Sequence, residues 1–177
     1  MQGKGIAGSA AAALSLLSLA FLAPAHAQTA PARPLEQLLA GHFTGKGEFI
    51  DKRGGKDRGI DLDIRGSYDG KALTLVEDTT FSDGEQQHKV WTFTRKSPTE
   101  WTGTRSDVIG AADITIDGST IRMVYKAHVP KDGKVWDCKF DEHYDIASPD
   151  LIRFRADVSY LFFTVGEATL TIRRTGK

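Results

Sequence analysis

Four Asp-Gly pairs, at 69–70, 83–84, 117–118 and 132–133, punctuate segments in which apolar and polar residues alternate. Both residues of such a pair tolerate positive φ, so Asp-Gly between alternating segments is a strong two-residue hairpin signal. Connections that short join antiparallel neighbours. Further turn signals fall at 51–59 (DKRGGKDRG), 96–100 (KSPTE), 148–150 (SPD) and 165–167 (VGE). Counting turns from residue 42 onward predicts a meander of about eight or nine strands.

The alternation assigns faces. Ile60, Leu62, Ile64 and Tyr68 share one side of their segment, opposite Asp61, Asp63 and Arg65. Ile121, Met123, Tyr125, Ala127 and Val129 form a second apolar row, and Ile152, Phe154, Ala156, Val158 and Tyr160 a third. Ala168, Leu170 and Ile172 form a fourth, opposite Thr169, Thr171 and Arg173. Each strand thus has one wet face and one core face. A single sheet of this kind would leave a large apolar face in water, so it must fold over or close. Long strands joined by consecutive hairpins favour a closed antiparallel up-and-down β-barrel of lipocalin type, which also removes sheet edges. One helix is predicted, PLEQLLAG at 34–41, with Pro34 in the first turn, Gly41 closing it and Leu35, Leu38 and Leu39 as its apolar stripe. It should plug or flank one end of the barrel.

Residues 1–27 read as a secretory signal: Lys4, then a small-residue and leucine-rich run, then Ala25-His26-Ala27 as a cleavage site before Gln28. The expectation is a periplasmic or secreted protein with no membrane span after cleavage, a short leader and helix at 28–41, and one barrel domain at 42–177. The sole cysteine, Cys138, cannot form an internal disulfide and is read as a small buried hydrophobe. No cysteine lies near the leader to carry a lipid. With 23 basic and 23 acidic residues the chain lacks the basic excess that phosphate backbones demand, so no nucleic-acid partner is expected.

Chemistry must then come from polar residues on the core face. Parity places Glu77 in the row Leu73, Leu75, Glu77, Thr79, Phe81, and Glu142 in the row Trp136, Cys138, Phe140, Glu142, Tyr144, Ile146. It places Arg105 and Asp107 in the row Trp101, Gly103, Arg105, Asp107, Ile109. Inward charges are costly unless paired, so Arg105 with these acids is expected to form an internal cluster. Such a cluster is either a structural ion pair or the polar end of an apolar cavity, the usual design of a small-ligand site. Aromatic residues, Trp91 and Tyr125 among them, line the interior and either fill it or wall it; Gly45 and Gly47 are read as opening space. The candidate ligand contacts are therefore Glu77, Arg105, Asp107, Glu142, Trp91 and Tyr125.

Catalytic templates are missing from the sequence. There is no G-x-S-x-G elbow, no dinucleotide or phosphate loop, and no HExxH or Cys/His spacing. Asp141 and Glu142 are adjacent in a strand and point to opposite faces. His143 and Asp145 share an outer face, which is not read as a metal site. No cofactor is expected and no catalytic residue is assigned.

The segments GKGEFIDKRG (45–54), LVEDTTFSDGE (75–85), KVWTF (89–93), W-x-G-x-x-x-DVIG (101–110) and FDEHYDI (140–146) resemble the domain-of-unknown-function 3833 family of bacterial envelope proteins, over about residues 42–174. Many members of that family are lipoproteins, whereas this chain lacks the lipoprotein cysteine. It also has His143-Tyr144 where the family often shows an aromatic pair. Members tend to occur beside genes of membrane fatty-acid modification, so the resemblance implies a lipid or lipophilic ligand. The leading expectation is a barrel holding a fatty-acyl or similar molecule. A lipid-modifying isomerase or hydrolase using Glu77 or Glu142 as base is one alternative. A packed, ligand-free interaction barrel is the other, favoured by an interior below roughly 300 Å³.

Overall fold

The computed structural model describes residues 33–131 and 133–176; the expected signal at 1–27 and most of the expected leader lie outside them. The chain runs α1 (Leu35–Leu39), β1 (Gly41–Asp51), β2 (Arg58–Tyr68), β3 (Ala72–Phe81), β4 (Gln86–Arg95), β5 (Glu100–Thr104), β6 (Ala112–Asp117), β7 (Thr120–Lys131), β8 (Lys134–Ser148), β9 (Leu151–Tyr160) and β10 (Phe163–Gly176). Each strand pairs antiparallel with its sequence neighbours, and β10 returns to β1, closing the barrel. The predicted turn chemistry operates at Asp69-Gly70: Gly70 takes φ +93°, and the Asp69 carboxylate accepts the backbone N–H groups of Lys71 and Ala72, both at 2.8 Å.

The strand count is ten, not eight or nine. Two turns carry no strong punctuation. The β9–β10 hairpin turns at Leu161-Phe162, with no glycine or proline, and Leu161 takes φ +54°. The 165–167 signal is a bulge inside β10, where the register slips between Thr164 and Gly166. The other missed turn follows β5. The inward row from Trp101 to Ile109 breaks after Thr104, the chain folds into a loop at 105–111, and Ile109 ends 38% exposed.

The alternating rows face as their chemistry dictates. Ile60, Ile64, Ile121, Met123, Tyr125, Ile152 and Ile172 are buried, and each fully buried aliphatic side chain stabilises the fold by about 1.5–3 kcal/mol. Tyr68, read with the inner row, is an exception at 37% exposed, beside the turn. The outer rows carry charge, for example Lys46 opposite Asp61 and Arg155 opposite His143, which suits a wall facing water rather than acyl chains. Among the described residues no helix is long and apolar enough to cross a membrane.

Helix α1 stops one end of the barrel. Leu35, Leu38 and Leu39 are buried in the core cluster, and the Leu39 carbonyl lies so close to Gly66 that a Cβ there would stand 1.9 Å from it. Arg174 donates to the Ala40 and Leu38 carbonyls, at 2.6 and 3.2 Å, and its guanidinium lies over the Phe43 ring at 4.3 Å. Gly45 and Gly47 do not open space as expected. A Cβ at Gly45 would meet Ile172 at 3.1 Å, and one at Gly47 would meet the Thr169 carbonyl at 1.8 Å. They are glycine because β10 packs against their backbone.

Candidate ligand site inside the barrel

A cavity of about 250 Å³ occupies the barrel between the α1 plug and the opposite mouth. Its wall is mostly apolar, with Ile60, Leu62, Phe140, Phe154 and Ala156 contributed by β2, β8 and β9. Toward the mouth it meets a basin of about 460 Å³, with which it shares Phe49, Arg58, Gln87, Val129 and Val158. The inner chamber alone is below the roughly 300 Å³ that drug-sized ligands usually need; the chamber with its basin is above it. The β1–β2 loop leans over the mouth. Lys131 of β7 donates to Asp51 at 3.0 Å, and the Arg53 guanidinium lies 5.4 Å from the Trp136 ring centre.

The polar groups converge on one side of the inner chamber. Glu142 is 7% exposed and is doubly held: the Tyr125 hydroxyl donates to one oxygen at 2.6 Å and the Tyr144 hydroxyl to the other at 2.7 Å. Both tyrosines follow from parity, since Tyr144 is two residues along β8 on the same face and Tyr125 stands beside Glu142 on β7. Burial raises the Glu142 carboxyl above its ordinary range, and the two hydroxyls pull against that shift. Burial, and next the Glu142 charge, hold both hydroxyls well above the usual tyrosine value, so they stay protonated donors.

Glu77 on β3 lines the same cavity with no such pair of donors. Burial first, then the charge of Glu142, raises its carboxyl from 4.5 to about 7, while Arg105 and Lys89 pull it down. Its protonation thus changes far closer to neutral pH than an ordinary carboxyl's, and it accepts a hydrogen bond from the cavity when ionised and can donate one when protonated.

Arg105 reaches inward from the 105–111 loop, its side chain 4% exposed. It lies 4.3 Å from the Trp91 ring centre and 5.3 Å from that of Tyr125, two rings that meet edge-on and together supply cation–π contacts. Its edge belongs to Asp107, which accepts from Nε at 2.5 Å and from Nη2 at 3.1 Å. That fork lowers the Asp107 carboxyl despite partial burial, which by itself raises it. Lys89 of β4 also reaches Asp107, at 3.8 Å, and burial lowers its amine below the ordinary lysine value.

Five of the six sequence candidates (Glu77, Trp91, Arg105, Tyr125 and Glu142) line the cavity, and Asp107 stands behind Arg105 as its counter-ion. Sequence reasoning missed Lys89 and Tyr144. Tyr144 was legible, since it shares the Glu142 row. Lys89 lies on the Trp91 row, two residues before it on β4, so the same parity could have found it. A larger hollow of about 640 Å³ lies elsewhere, lined by Lys46, Arg153, Arg155 and Thr171 of the outer rows. It lacks the enclosing aromatic wall of the inner chamber.

Two solved structures share the fold. The S-type phycobiliprotein lyase CPES from Guillardia theta matches with a TM-score of 0.58 at 12% identity, over 80% of this chain and 91% of its own. Rv2717c from M. tuberculosis matches with a TM-score of 0.58 at 14% identity, over 77% of this chain and 92% of its own. At such identities the likeness establishes the barrel and nothing about its contents. No curated protein matches the sequence. The family described as "Protein of unknown function (DUF3833)" matches residues 14–174, and the chain belongs to it.

Proposed function

We propose that this protein is a carrier, acting outside the cytoplasm after cleavage behind Ala27, for one slender lipophilic molecule such as a fatty-acyl compound. The apolar chamber and the basin above it take the tail. The polar end rests against Glu77, with Glu142, Trp91 and Tyr125 around it. The observation that carries this reading is the convergence of Glu77, Lys89, Arg105 and Glu142, with Asp107 behind Arg105, on a cavity wall that is mostly apolar.

The same cluster narrows the head group. Three acids (Glu77, Asp107, Glu142) face two bases (Lys89, Arg105), and the Arg105 fork is already occupied by Asp107. A free carboxylate would meet two carboxyl groups and an Arg105 whose Nε–Nη2 edge is already held by Asp107. An alcohol, amide or amine head would donate to Glu77 instead. The reading thus favours acyl chains with a neutral or cationic head over free fatty acids.

Native mass spectrometry and solvent extraction of protein purified from the cell envelope test it, together with a fluorescent acyl-chain probe. A co-purifying hydrophobic molecule, or probe fluorescence lost on filling the cavity, supports carriage. Absence of both rejects it in favour of the ligand-free barrel that the 250 Å³ chamber would suit.

One observation favours a second reading. A carboxyl raised to about 7 in an apolar cavity is poised as a general acid or base, so Glu77 suits a lipid-modifying isomerase or hydrolase. Glu77→Gln would then abolish turnover of an extracted lipid while leaving its binding and the fold intact.

A further inference from the structure

Phe162 is 96% exposed, Leu161 and Phe163 72% each, and Val135 on the adjoining hairpin 65%. These four are the most exposed large apolar residues among those described. They are grouped: β8 pairs with β9 up to Cys138–Tyr160, so the tips of the β7–β8 and β9–β10 hairpins stand side by side. Both tips lie at the mouth, opposite α1, because Trp136 and Val165 of the same hairpins line the mouth basin.

Folding gives no reason for this tip. Its turn places Leu161 at φ +54°, the one non-glycine residue with positive φ among those described, at a cost of about 1–2 kcal/mol. Other hairpins of the barrel turn at Asp-Gly, where that conformation is nearly free. Here the chain accepts backbone strain and sets three large apolar side chains in water. The turn's own stability would improve if Leu161-Phe162 were Asn-Gly, so what holds these residues must lie outside the chain.

We infer that the Leu161–Phe163 tip, with Val135 beside it, inserts into the interface of a lipid bilayer and sets the barrel mouth against the membrane. Shape selects the occupant. A stable protein–protein contact needs about 800 Å² from each partner, and four side chains on two adjacent turns fall short of that. A convex point of leucine and phenylalanine at the edge of an aqueous barrel is what a bilayer interface accepts, each ring leaving water for the acyl boundary. Charge allows it: Lys134 neighbours Val135, and Lys52, Lys56 and Lys131 stand on the same rim, where lipid phosphates would lie, although Asp51, Asp83 and Glu85 share the basin with them. Lys52 and Lys131 are shared with Glu167 and Asp51, so the apolar tip supplies most of the attachment and the cations add to it. The inference rests on the tip rather than on the cavity's contents.

The test places a reporter on the tip of the full chain. Phe162→Trp, compared with wild type to subtract Trp91, Trp101 and Trp136, is mixed with phosphatidylcholine vesicles, with and without about a third anionic lipid. Emission of the added indole should shift to the blue and be quenched by bromine-bearing acyl chains, in neutral vesicles and more strongly in anionic ones. Phe162→Ser with Phe163→Ser should lower vesicle partitioning by roughly tenfold or more, with unchanged or improved thermal stability. A variant with the cavity filled, Ala156→Leu, should lose the acyl probe and keep vesicle binding, which separates this inference from the proposed carriage. No indole shift or quenching on vesicle addition overturns it. So does a blue shift that grows with protein concentration in the absence of lipid, which would assign the tip to a second copy of the chain.

Discussion

Glu77 should tilt the stability of the whole barrel across the mildly acidic range, in the direction opposite to an ordinary surface carboxylate. Its carboxyl ionises near 4.5 in the unfolded chain and near 7 in the barrel, chiefly because of burial and then because of Glu142. Below about pH 4.5 both states hold the proton and nothing depends on pH. Between about 4.5 and 7 the unfolded chain releases a proton that the barrel keeps, so stability falls as pH rises. Above about 7 both are ionised and the loss is complete, at about 3 kcal/mol. Glu142 is raised as well and slopes the same way, so the two titrate as a coupled pair. The opposing acids do not mask this. Asp78, held down chiefly by its hydrogen bond to His88, and Asp141, held down chiefly by Arg122, give stability that is lost only as pH falls through their lowered values. Glu77→Gln is neutral throughout and removes both its own slope and its push on Glu142. Urea denaturation of wild type and variant from about pH 4.5 to 8.5 should show near-equal stability at the acid end. The variant should gain by about 3 kcal/mol at the alkaline end. Parallel curves, or a variant less stable at every pH, would falsify the placement of Glu77 as an acid whose charged form the barrel interior disfavours.

Other consequences follow from the same cluster. Tyr144→Phe removes one of the two donors to buried Glu142 and should cost about 1.5–3 kcal/mol by denaturant unfolding, growing above neutral pH; a cost under about 0.5 kcal/mol contradicts the 2.7 Å bond. Asp107→Asn frees the Arg105 fork, so a carboxylate-headed acyl probe should bind the variant better than wild type, measured by fluorescence titration; equal affinity denies that Asp107 occupies Arg105. Gly66→Ala drives a methyl into the Leu39 carbonyl and should cost about 1–3 kcal/mol, read as a lowered thermal midpoint, through displacement of the α1 plug.

The fold was legible wherever a turn needed an unusual backbone and used the residue that permits it. Asp69-Gly70 and Asp117-Gly118 announce their hairpins because Gly70 and Gly118 take positive φ. The turn at Leu161-Phe162 was invisible for the same physical reason in reverse: it adopts positive φ on a leucine, which no propensity argument would choose. The bulge near Gly166 was taken for a turn because a glycine inside a strand and a glycine between strands look alike in one dimension. Gly45 and Gly47 were placed on the correct strand and misread in purpose, because the Ile172 side chain that meets Gly45 and the backbone that crowds Gly47 belong to β10, more than 120 residues away in sequence.

The site was legible only in part, and the shortness of β5 and β6 explains which part. Parity works along Glu77 and Glu142 because β3 and β8 run through the cavity level without interruption. It named Arg105 and Asp107 by extending β5 beyond Thr104, where there is no strand. The residues arrive there for another reason. β5 spans 5 residues and β6 spans 6, so they cover the plugged half of the barrel only, and β4 meets β5 just from Thr92 to Arg95. The 105–111 loop fills the remaining gap against β7, with the Ile109 N–H on the Lys126 carbonyl at 2.8 Å and the His128 N–H on the Asp107 carbonyl at 2.9 Å. Toward β4 no ladder is formed along Gln86–Trp91 among the described residues, and the seam is crossed by the Lys89–Asp107 ion pair. A full-length β5 and β6 would have closed that seam with backbone hydrogen bonds and left Arg105 in a strand register, unable to lay its guanidinium across Trp91. Arg105 and Asp107 therefore reach the interior because two strands stop early. The barrel gives up a stretch of sheet there, and a cation and its counter-ion stand at the edge of the apolar chamber in its place.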